Sequence, residues 1–271
     1  MNKGLIGFTN EKYITLTETF VDSVLKFSTL PVTIITMGFD HNFKNSRVNN
    51  KRLDLELDQN AWVESTLTSI QDNSGWRCGL SKYTACAQTP YDVTFYADID
   101  IVITKEFEPW FNSIESTVAS LKELFCCKHP HYPCNETNHS LLQFFKKFGI
   151  GVTSDYILAA GFAYNRNFIP RFLDAHKRAI NLLKEGVEFP TGDECFLNAF
   201  LMQNNLIQDS GYDYLPNAEL FESYINKSLD AKKYIHPIYL EQGRYINPVL
   251  FHGNKDINRA RYMIEEIEKH T

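Results

Sequence analysis

The chain has 271 residues, of which 44% are hydrophobic and 22% are charged, and its formal net charge is −6. These proportions are typical of soluble globular proteins, and the length is sufficient for a large buried core. The negative charge, without any cluster of Lys and Arg, argues against general nucleic-acid binding. The apolar runs are too short for a transmembrane helix, and the N-terminal residues lack the pattern of a signal peptide. We therefore expect a cytoplasmic protein, with attachment to a membrane surface left open.

Hydrophobic periodicity predicts alternating strands and helices in the first part of the chain. The predicted elements are a strand at 5–8, a helix at 13–27, a strand at 31–37, a polar loop at 39–51, a strand at 53–57, a helix from about 79 to 88 and a strand at 91–96. This order favours a parallel sheet with helices on both faces, in which ligands bind beyond the carboxyl ends of the strands.

The remaining sequence predicts a continuation of the same α/β domain. Its predicted elements are helices at 113–125 and 168–185, a His-, Pro- and Asn-rich loop at 127–140, a strand at 158–164, a helix at 194–204, a strand at 248–251 and a charged helix at 258–270. No repeat, low-complexity tract or linker divides the chain. We therefore expect a single domain.

The segment from Phe95 to Ile103 is the most informative part of the sequence. It predicts a buried strand that ends in Asp98 and Asp100, and an extended backbone would place both of these side chains on one face. Two like charges at such a place need a counterion. A hard divalent cation that also binds phosphate oxygens meets this need, as in metal-dependent sugar-nucleotide transferases. The alternative is an acidic turn that merely follows a core strand.

Two segments before this pair fit a sugar-nucleotide site. Thr9, Asn10 and Tyr13 follow the first strand, where a nucleotide base commonly lies in such folds. Tyr13 would either stack on the base or pack on the sheet. Arg77 and Lys82 would either neutralise a diphosphate or remain solvated helix charges.

Two later segments complete the pattern. The small residues Ala159, Ala160 and Gly161 permit close approach of a sugar ring to the backbone. Asp193 and Glu194 begin a predicted helix, where acidic residues also simply complement the helix dipole. The last segment supplies an imidazole suited to a transition metal and a lysine suited to phosphate, within Phe251-His252-Gly253-Asn254-Lys255.

The order of these segments resembles that of the retaining GT-A glycosyltransferases over most of the chain. The glycogenin-like family 8 is suggested by Thr9-Asn10-x-x-Tyr13, by Lys82 ahead of Ala97-Asp98-Ile99-Asp100, and by His252-Gly253-x-Lys255. The blood-group α-1,3-Gal/GalNAc transferase family 6 is suggested by 159–162 and 192–198. Ala160 and Glu194 depart from the family 8 pattern, and the His-Gly-x-Lys segment is not typical of family 6. The resemblance therefore supports the superfamily without selecting a family.

The resemblance implies an α/β fold of the GT-A (Rossmann-like) type, with a mixed, mainly parallel central sheet flanked by helices. Its nucleotide-binding part would span about 1–105, its acceptor and sugar part about 106–257, and a C-terminal helix 258–271. The implied activity is transfer of a hexose from a UDP-sugar to an acceptor hydroxyl, on a glycan, with retention of anomeric configuration. The donor sugar, the acceptor, the linkage and the oligomeric state stay open.

The resemblance also implies which residues form the site. Asp98, Asp100 and His252 would hold Mn²⁺ (or Mg²⁺), and Glu194 and Asp193 would be the catalytic carboxylates. The nucleotide sugar would be contacted by residues from four parts of the chain, namely Phe8, Thr9, Asn10, Tyr13, Arg77, Lys82, Ala97, Asp98, Ala160, Gly161, Gly253 and Lys255.

Two other functions fit parts of the pattern. A sugar-phosphate nucleotidyltransferase shares the doubly wound fold and the acidic metal ligands, but Gly7-Phe8-Thr9-Asn10 is not the basic, Gly-rich loop expected for a triphosphate. A non-catalytic carbohydrate-binding protein fits the aromatic content of 14%. Such modules are mostly β-sandwiches, however, which the alternation of helices and strands disfavours.

Overall fold

The computed structural model describes residues 1–54, 81–103, 108, 111–112, 124–128, 139–150, 157–187, 189, 193–204, 238–239, 245–246, 250–251 and 265. No helix within these residues combines the length and the apolar character that crossing a membrane requires.

The first half of the described chain follows the predicted order closely. Strand β1 (Lys3–Thr9) leads through a 3-10 turn (Glu11–Tyr13) into helix α1 (Ile14–Phe27), and strand β2 (Val32–Met37) follows. Strand β3 (Val48–Leu53), helix α2 (Ser81–Cys86) and strand β4 (Val93–Ala97) come next. Strands β1, β2 and β4 are apolar runs buried on both faces, which is typical of parallel strands covered by helices.

The predicted loop at 39–51 is wrong in its last residues, because the structure has strand β3 there. Its sequence is polar at the four central positions, and only its terminal residues Val48 and Leu53 are buried. A polar strand of this kind is stable because β3 lies at the edge of the sheet, where charged side chains also discourage pairing with other chains. Of the predicted strand at 53–57, only 53 and 54 lie within the described residues, and Leu53 ends β3.

The second half contains the remaining elements. They are β5 (Val102–Ile103), β6 (Leu124–Lys128), α3 (His139–Lys147), β7 (Ile157–Asn165), α4 (Ile169–Lys184), α5 (Asp193–Gln203), β8 (Ile238–Tyr239), β9 (Tyr245–Ile246) and β10 (Leu250–Phe251).

The predictions at 158–164, 168–185 and 194–204 are confirmed within a few residues by β7, α4 and α5. The predicted strand at 248–251 is confirmed at its described end, β10. The predicted helix at 113–125 is wrong at 124–125, because these residues belong to strand β6. The predicted loop at 127–140 is also wrong in part, because it overlaps both β6 and α3. Of the predicted helix at 258–270, only residue 265 is described, and it is helical.

The six main strands form one mixed, mainly parallel sheet, as predicted. Their order is β3-β2-β1-β4-β7-β6, and β3, β2, β1 and β4 pair in parallel. Strand β7 is antiparallel to both of its neighbours. The chain order reverses between β1 and β4, and in doubly wound sheets ligands bind at the carboxyl ends of the strands at such a point.

Alternate residues of the strands face two separate cores, so helices cover both faces of the sheet. On one face, Phe20 and Val24 of α1 pack with Leu5 of β1 and Phe95 of β4. The opposite core is formed by α2, α3, α4 and α5 over side chains such as Ile6, Tyr96 and Phe162.

We expect Gly4→Ala to destabilise the protein more than Gly7→Ala does. A methyl group at Gly4 would lie 2.5 Å from the ring of Tyr91 and 2.7 Å from the carbonyl oxygen of Pro31. At Gly7 the nearest atoms are side-chain carbons of Ile34 and Phe20, both at 3.3 Å. Overpacking a dense core costs about 1–3 kcal/mol. Urea denaturation measures the difference, and equal losses in the two β1 variants would contradict this view of the packing.

Candidate active site

The two aspartates lie on a turn that follows β4. Strand β4 ends at Ala97, and the N–H of Ile101 donates to the carbonyl oxygen of Asp98 at 3.0 Å. The expected extended backbone under the pair is therefore replaced by a turn at 98–101. Asp98 is half-buried, and the side chain of Asp100 is buried.

Strand β7 begins beside this turn because it runs antiparallel to β4. Gly161 is paired with Ala97, so the residues before Gly161 lie next to the residues after Ala97. The N–H of Asp98 accordingly donates to the carbonyl oxygen of Ala160 at 2.7 Å. The small side chains of Ala97 and Ala160 are buried, which allows the two backbones to approach here.

Lys82 of α2 reaches the same place from one face of the sheet. Its Nζ lies 2.7 Å from Asp193 Oδ2 and 3.1 Å from Asp98 Oδ1, and it donates to the carbonyl oxygen of Ala159 at 3.0 Å. Only 7% of the Lys82 side chain is exposed. Burial acts to lower the pKa of Lys82, but Asp193 and Asp98 together outweigh burial and raise it above its ordinary value. The lysine is therefore a buried cation between two carboxylates.

Helix α2 is held in place by hydrogen bonds to α4 and α5. The hydroxyl of Tyr83 donates to the carbonyl oxygen of Asp193 at 2.7 Å, and Thr84 Oγ1 lies 2.8 Å from His176 Nδ1 on α4. Burial lowers the pKa of His176 to about 4, so this imidazole is neutral near pH 7. These contacts fix the helix from which Lys82 extends.

The first turn of α5 contributes Asp193 and Glu194. Burial raises the pKa of Asp193, and this effect and the nearby Asp98 outweigh the opposing effect of Lys82. Glu194 Oε2 accepts a hydrogen bond from the N–H of Ala159 at 3.1 Å. Ala159 thus donates to Glu194 and accepts from Lys82, so this residue of β7 links the lysine to Glu194, while Asp193 contacts the lysine directly.

The residues predicted to contact a nucleotide base lie at the end of the neighbouring strand β1. The side chains of Phe8 and Thr9 are buried, and the Thr9 hydroxyl accepts from Thr17 at 2.8 Å and donates to the carbonyl oxygen of Asn10 at 3.1 Å. Asn10 and Tyr13 are half-buried. Because β1 and β4 are parallel neighbours, these residues and Asp98 are at the same edge of the sheet.

The structure brings together most of the predicted site residues that it describes. Lys82 contacts Asp98 and Asp193 directly, and Glu194 is joined to Lys82 through Ala159. Four predicted residues lie outside the described part of the chain, namely Arg77, His252, Gly253 and Lys255. The described residues contain no cluster of three His, Cys, Asp or Glu side chains that could hold a metal ion.

The residues that support the charged groups were not predicted from the sequence. The hydroxyl of Tyr96 donates to Asp98 Oδ1 at 2.6 Å, and the hydroxyl of Tyr83 bonds the backbone of Asp193. The first contact had a signal in the sequence, because Tyr96 and Asp98 are two residues apart at the end of a strand. The second depends on how α2 and α5 pack and has no local signal.

The chain is similar in structure to the galactosyltransferase LgtC, solved in complex with donor and acceptor sugar analogues. The TM-score is 0.57 at 13% sequence identity, and the match covers 98% of this chain and 95% of that one. No protein-family model and no curated protein match the sequence. The likeness shows the fold, which is the expected GT-A type, and selects neither family 6 nor family 8.

Lys82→Met should destabilise the protein by about 3 kcal/mol at neutral pH, because it leaves buried carboxylates without their cation. The raised pKa of Asp193 means that its contribution to stability is present below its unfolded pKa and is lost as the pH rises through the folded value. In Lys82→Met the pKa of Asp193 rises further, because the cation is gone, so the variant continues to lose stability up to a higher pH than the wild type. The deficit of the variant should therefore shrink as the pH falls from 7.5 toward about 4.

Urea denaturation at several pH values measures this deficit. Lys177→Met is the matched control, since Lys177 is an exposed lysine on α4. A deficit for Lys82→Met that does not change with pH, or that is no larger than the deficit of the control, would contradict the assignment of a buried ion pair.

Proposed function

We propose that this protein is a metal-dependent glycosyltransferase that moves a hexose from a UDP-sugar to a hydroxyl of a carbohydrate acceptor, with retention of anomeric configuration. The observation that carries the proposal is the contact of Lys82 with both Asp98 and Asp193 at the carboxyl end of β4. Burying such charges is costly, and apolar side chains would fill the same space at less cost. Retaining them at the ligand-binding edge of this fold therefore favours a role in binding and catalysis.

Asp98, Asp100 and His252 would hold Mn²⁺ or Mg²⁺. The donor chemistry fits, since carboxylates suit both hard ions and an imidazole favours the transition metal. Strand β10 pairs with β5 so that Phe251 lies opposite Val102. The residue just before His252 is thus paired with a residue two positions after Asp100. When bound, such an ion supplies Lewis-acid stabilisation of the charge on the departing UDP.

The end of β1 would bind the nucleotide. Tyr13 would stack on the uracil, a contact that contributes roughly 1–3 kcal/mol, and Asn10 would hydrogen-bond near it. Phe8 and Thr9 would act through their backbone, because their side chains are buried. Ala97, Ala160 and Gly161 would allow the sugar to approach the sheet. The positive charges around the diphosphate would come from Arg77, Lys82 and Lys255, with Gly253 giving space for the backbone.

Glu194 would place negative charge beneath the anomeric carbon, where an oxocarbenium-like transition state needs it. The hydrogen bond from the Ala159 N–H fixes the orientation of this carboxylate. Asp193, held by Lys82, would position hydroxyl groups of the donor or the acceptor. Retention would follow from a glycosyl-enzyme intermediate on Glu194 or from attack on the same face as the leaving group.

The partners follow from the same reasoning. LgtC was solved with donor and acceptor sugar analogues, and this chain shares its fold over nearly the whole length. That likeness supports a nucleotide sugar and a carbohydrate as the two substrates. UDP as the nucleotide and retention as the outcome depend on the resemblance of the motifs.

Calorimetric titration of UDP into the purified protein tests the proposal. We expect micromolar binding with Mn²⁺ that is lost in excess EDTA, because the carboxylates would need the ion in order to bind the diphosphate. Asp100→Asn should weaken this binding at least tenfold. Asp92→Asn should not, since Asp92 lies at the opposite end of β4 and bonds the N–H of Asn2.

Hydrolysis of UDP-hexoses by the same samples would then identify the donor. Absence of UDP binding under both conditions, or binding that Asp100→Asn and EDTA leave unchanged, would contradict the proposed site. A carbohydrate-binding protein without transferase activity would not bind UDP.

A further inference from the structure

Tyr96 is placed on β4 so that its hydroxyl meets the first aspartate of the turn. Tyr96 lies two positions before Asp98, and its hydroxyl donates to Asp98 Oδ1 at 2.6 Å. The tyrosine is 1% exposed. A hydrogen bond from a hydroxyl to a carboxylate is among the stronger ones in proteins, and this distance is typical of that class.

The ring of Tyr96 is held firmly, so the hydroxyl has a fixed position. The ring stacks on Phe162 of β7 with the centroids 4.9 Å apart and an interplanar angle of 22°. The Nζ of Lys82 lies 5.2 Å from the centre of the same ring. Neighbours on both the strand and the helix side therefore restrict its movement.

Lys82 by itself does not fix the orientation of the Asp98 carboxylate. Its Nζ lies 3.1 Å from Oδ1 and 3.4 Å from Oδ2, so the ammonium group contacts both oxygens at similar distances. The terminal torsion of an aspartate is broad and nearly two-fold. The hydroxyl of Tyr96, which bonds Oδ1, is the contact that distinguishes the two oxygens.

We propose that Tyr96 is a positioning residue that orients the Asp98 carboxylate for the metal–nucleotide complex. It keeps Oδ1 on the hydroxyl, which would leave Oδ2 as the oxygen that helps to hold the ion. This inference rests on the proposed metal-dependent function. Partners that orient metal ligands in this way typically affect metal affinity 10- to 100-fold when they are removed.

Tyr164 provides a matched control in the same core. It lies on β7, it is fully buried, and its hydroxyl donates to the carbonyl oxygen of Cys86 at 2.7 Å. Tyr96→Phe and Tyr164→Phe each remove one buried hydroxyl, with the hydrogen bonds that it makes, while keeping the ring. The two variants differ in whether a bond to a site carboxylate is lost.

The test is titration of Mn²⁺ into the full chain in the presence of UDP, for the wild type and both variants. We expect Tyr96→Phe to raise the Kd for Mn²⁺ about tenfold or more and Tyr164→Phe to leave it within about twofold. Urea denaturation of the same samples should show comparable losses for the two variants. In assays of transfer, saturating Mn²⁺ should restore most of the kcat of Tyr96→Phe, which a general structural defect would not allow.

An unchanged Kd in Tyr96→Phe would overturn the positioning role and leave the proposed function intact. An equal rise in both variants would also overturn it, because the effect would then come from loosened packing. Failure of the wild type itself to bind Mn²⁺ with UDP would refute the proposed metal site, and the positioning role with it. The first two failures appear only in the variants, so they are distinguishable from the third.

Discussion

The ammonium group of Lys82 lies between two carboxylates that come from different elements of the fold. Asp98 follows β4, Asp193 begins α5, and the Nζ of the lysine is 3.1 Å from one and 2.7 Å from the other. Each carboxylate needs the cation because both are largely withdrawn from water. The ion pairs therefore hold the start of α5 at the carboxyl end of β4, and the proposed catalytic residues depend on that placement.

The antiparallel strand β7 makes this arrangement possible. A parallel strand would bring its carboxyl end to this edge, whereas β7 brings its beginning, with Ala159 and Ala160 next to Asp98. Their backbone groups accept from Lys82 and Asp98 and donate to Glu194. Alanine is suitable at 159 and 160 because both positions contribute backbone groups, and a small side chain does not obstruct them.

Local pattern was enough to predict the parallel part of the sheet and the place of Asp98 and Asp100 after a buried strand, because buried strands and their ends have strong signals in the sequence. The mixed sheet was implied by the family resemblance, and the turn under the two aspartates replaces the expected extended backbone. Strand β3 and helix α3 were missed, since a polar edge strand resembles a loop and α3 follows a His-, Pro- and Asn-rich stretch. The contact between Lys82 and Asp193 could not be predicted, because it depends on how α2 and α5 pack over the sheet. The contact of Tyr96 with Asp98, in contrast, could have been predicted, because alternate residues of a strand lie on the same face.

The most direct measurement is a crystal structure of the protein with Mn²⁺ and UDP, with the ion located from its anomalous scattering. If the carboxyl ends of β1 and β4 form one sugar-nucleotide site, the anomalous peak lies at the Asp98 and Asp100 carboxylates. The uracil then lies at the end of β1, against Tyr13. The proposed sugar-nucleotide site would be contradicted if the ion or the nucleotide bound at another edge of the sheet, far from Lys82 and Asp98.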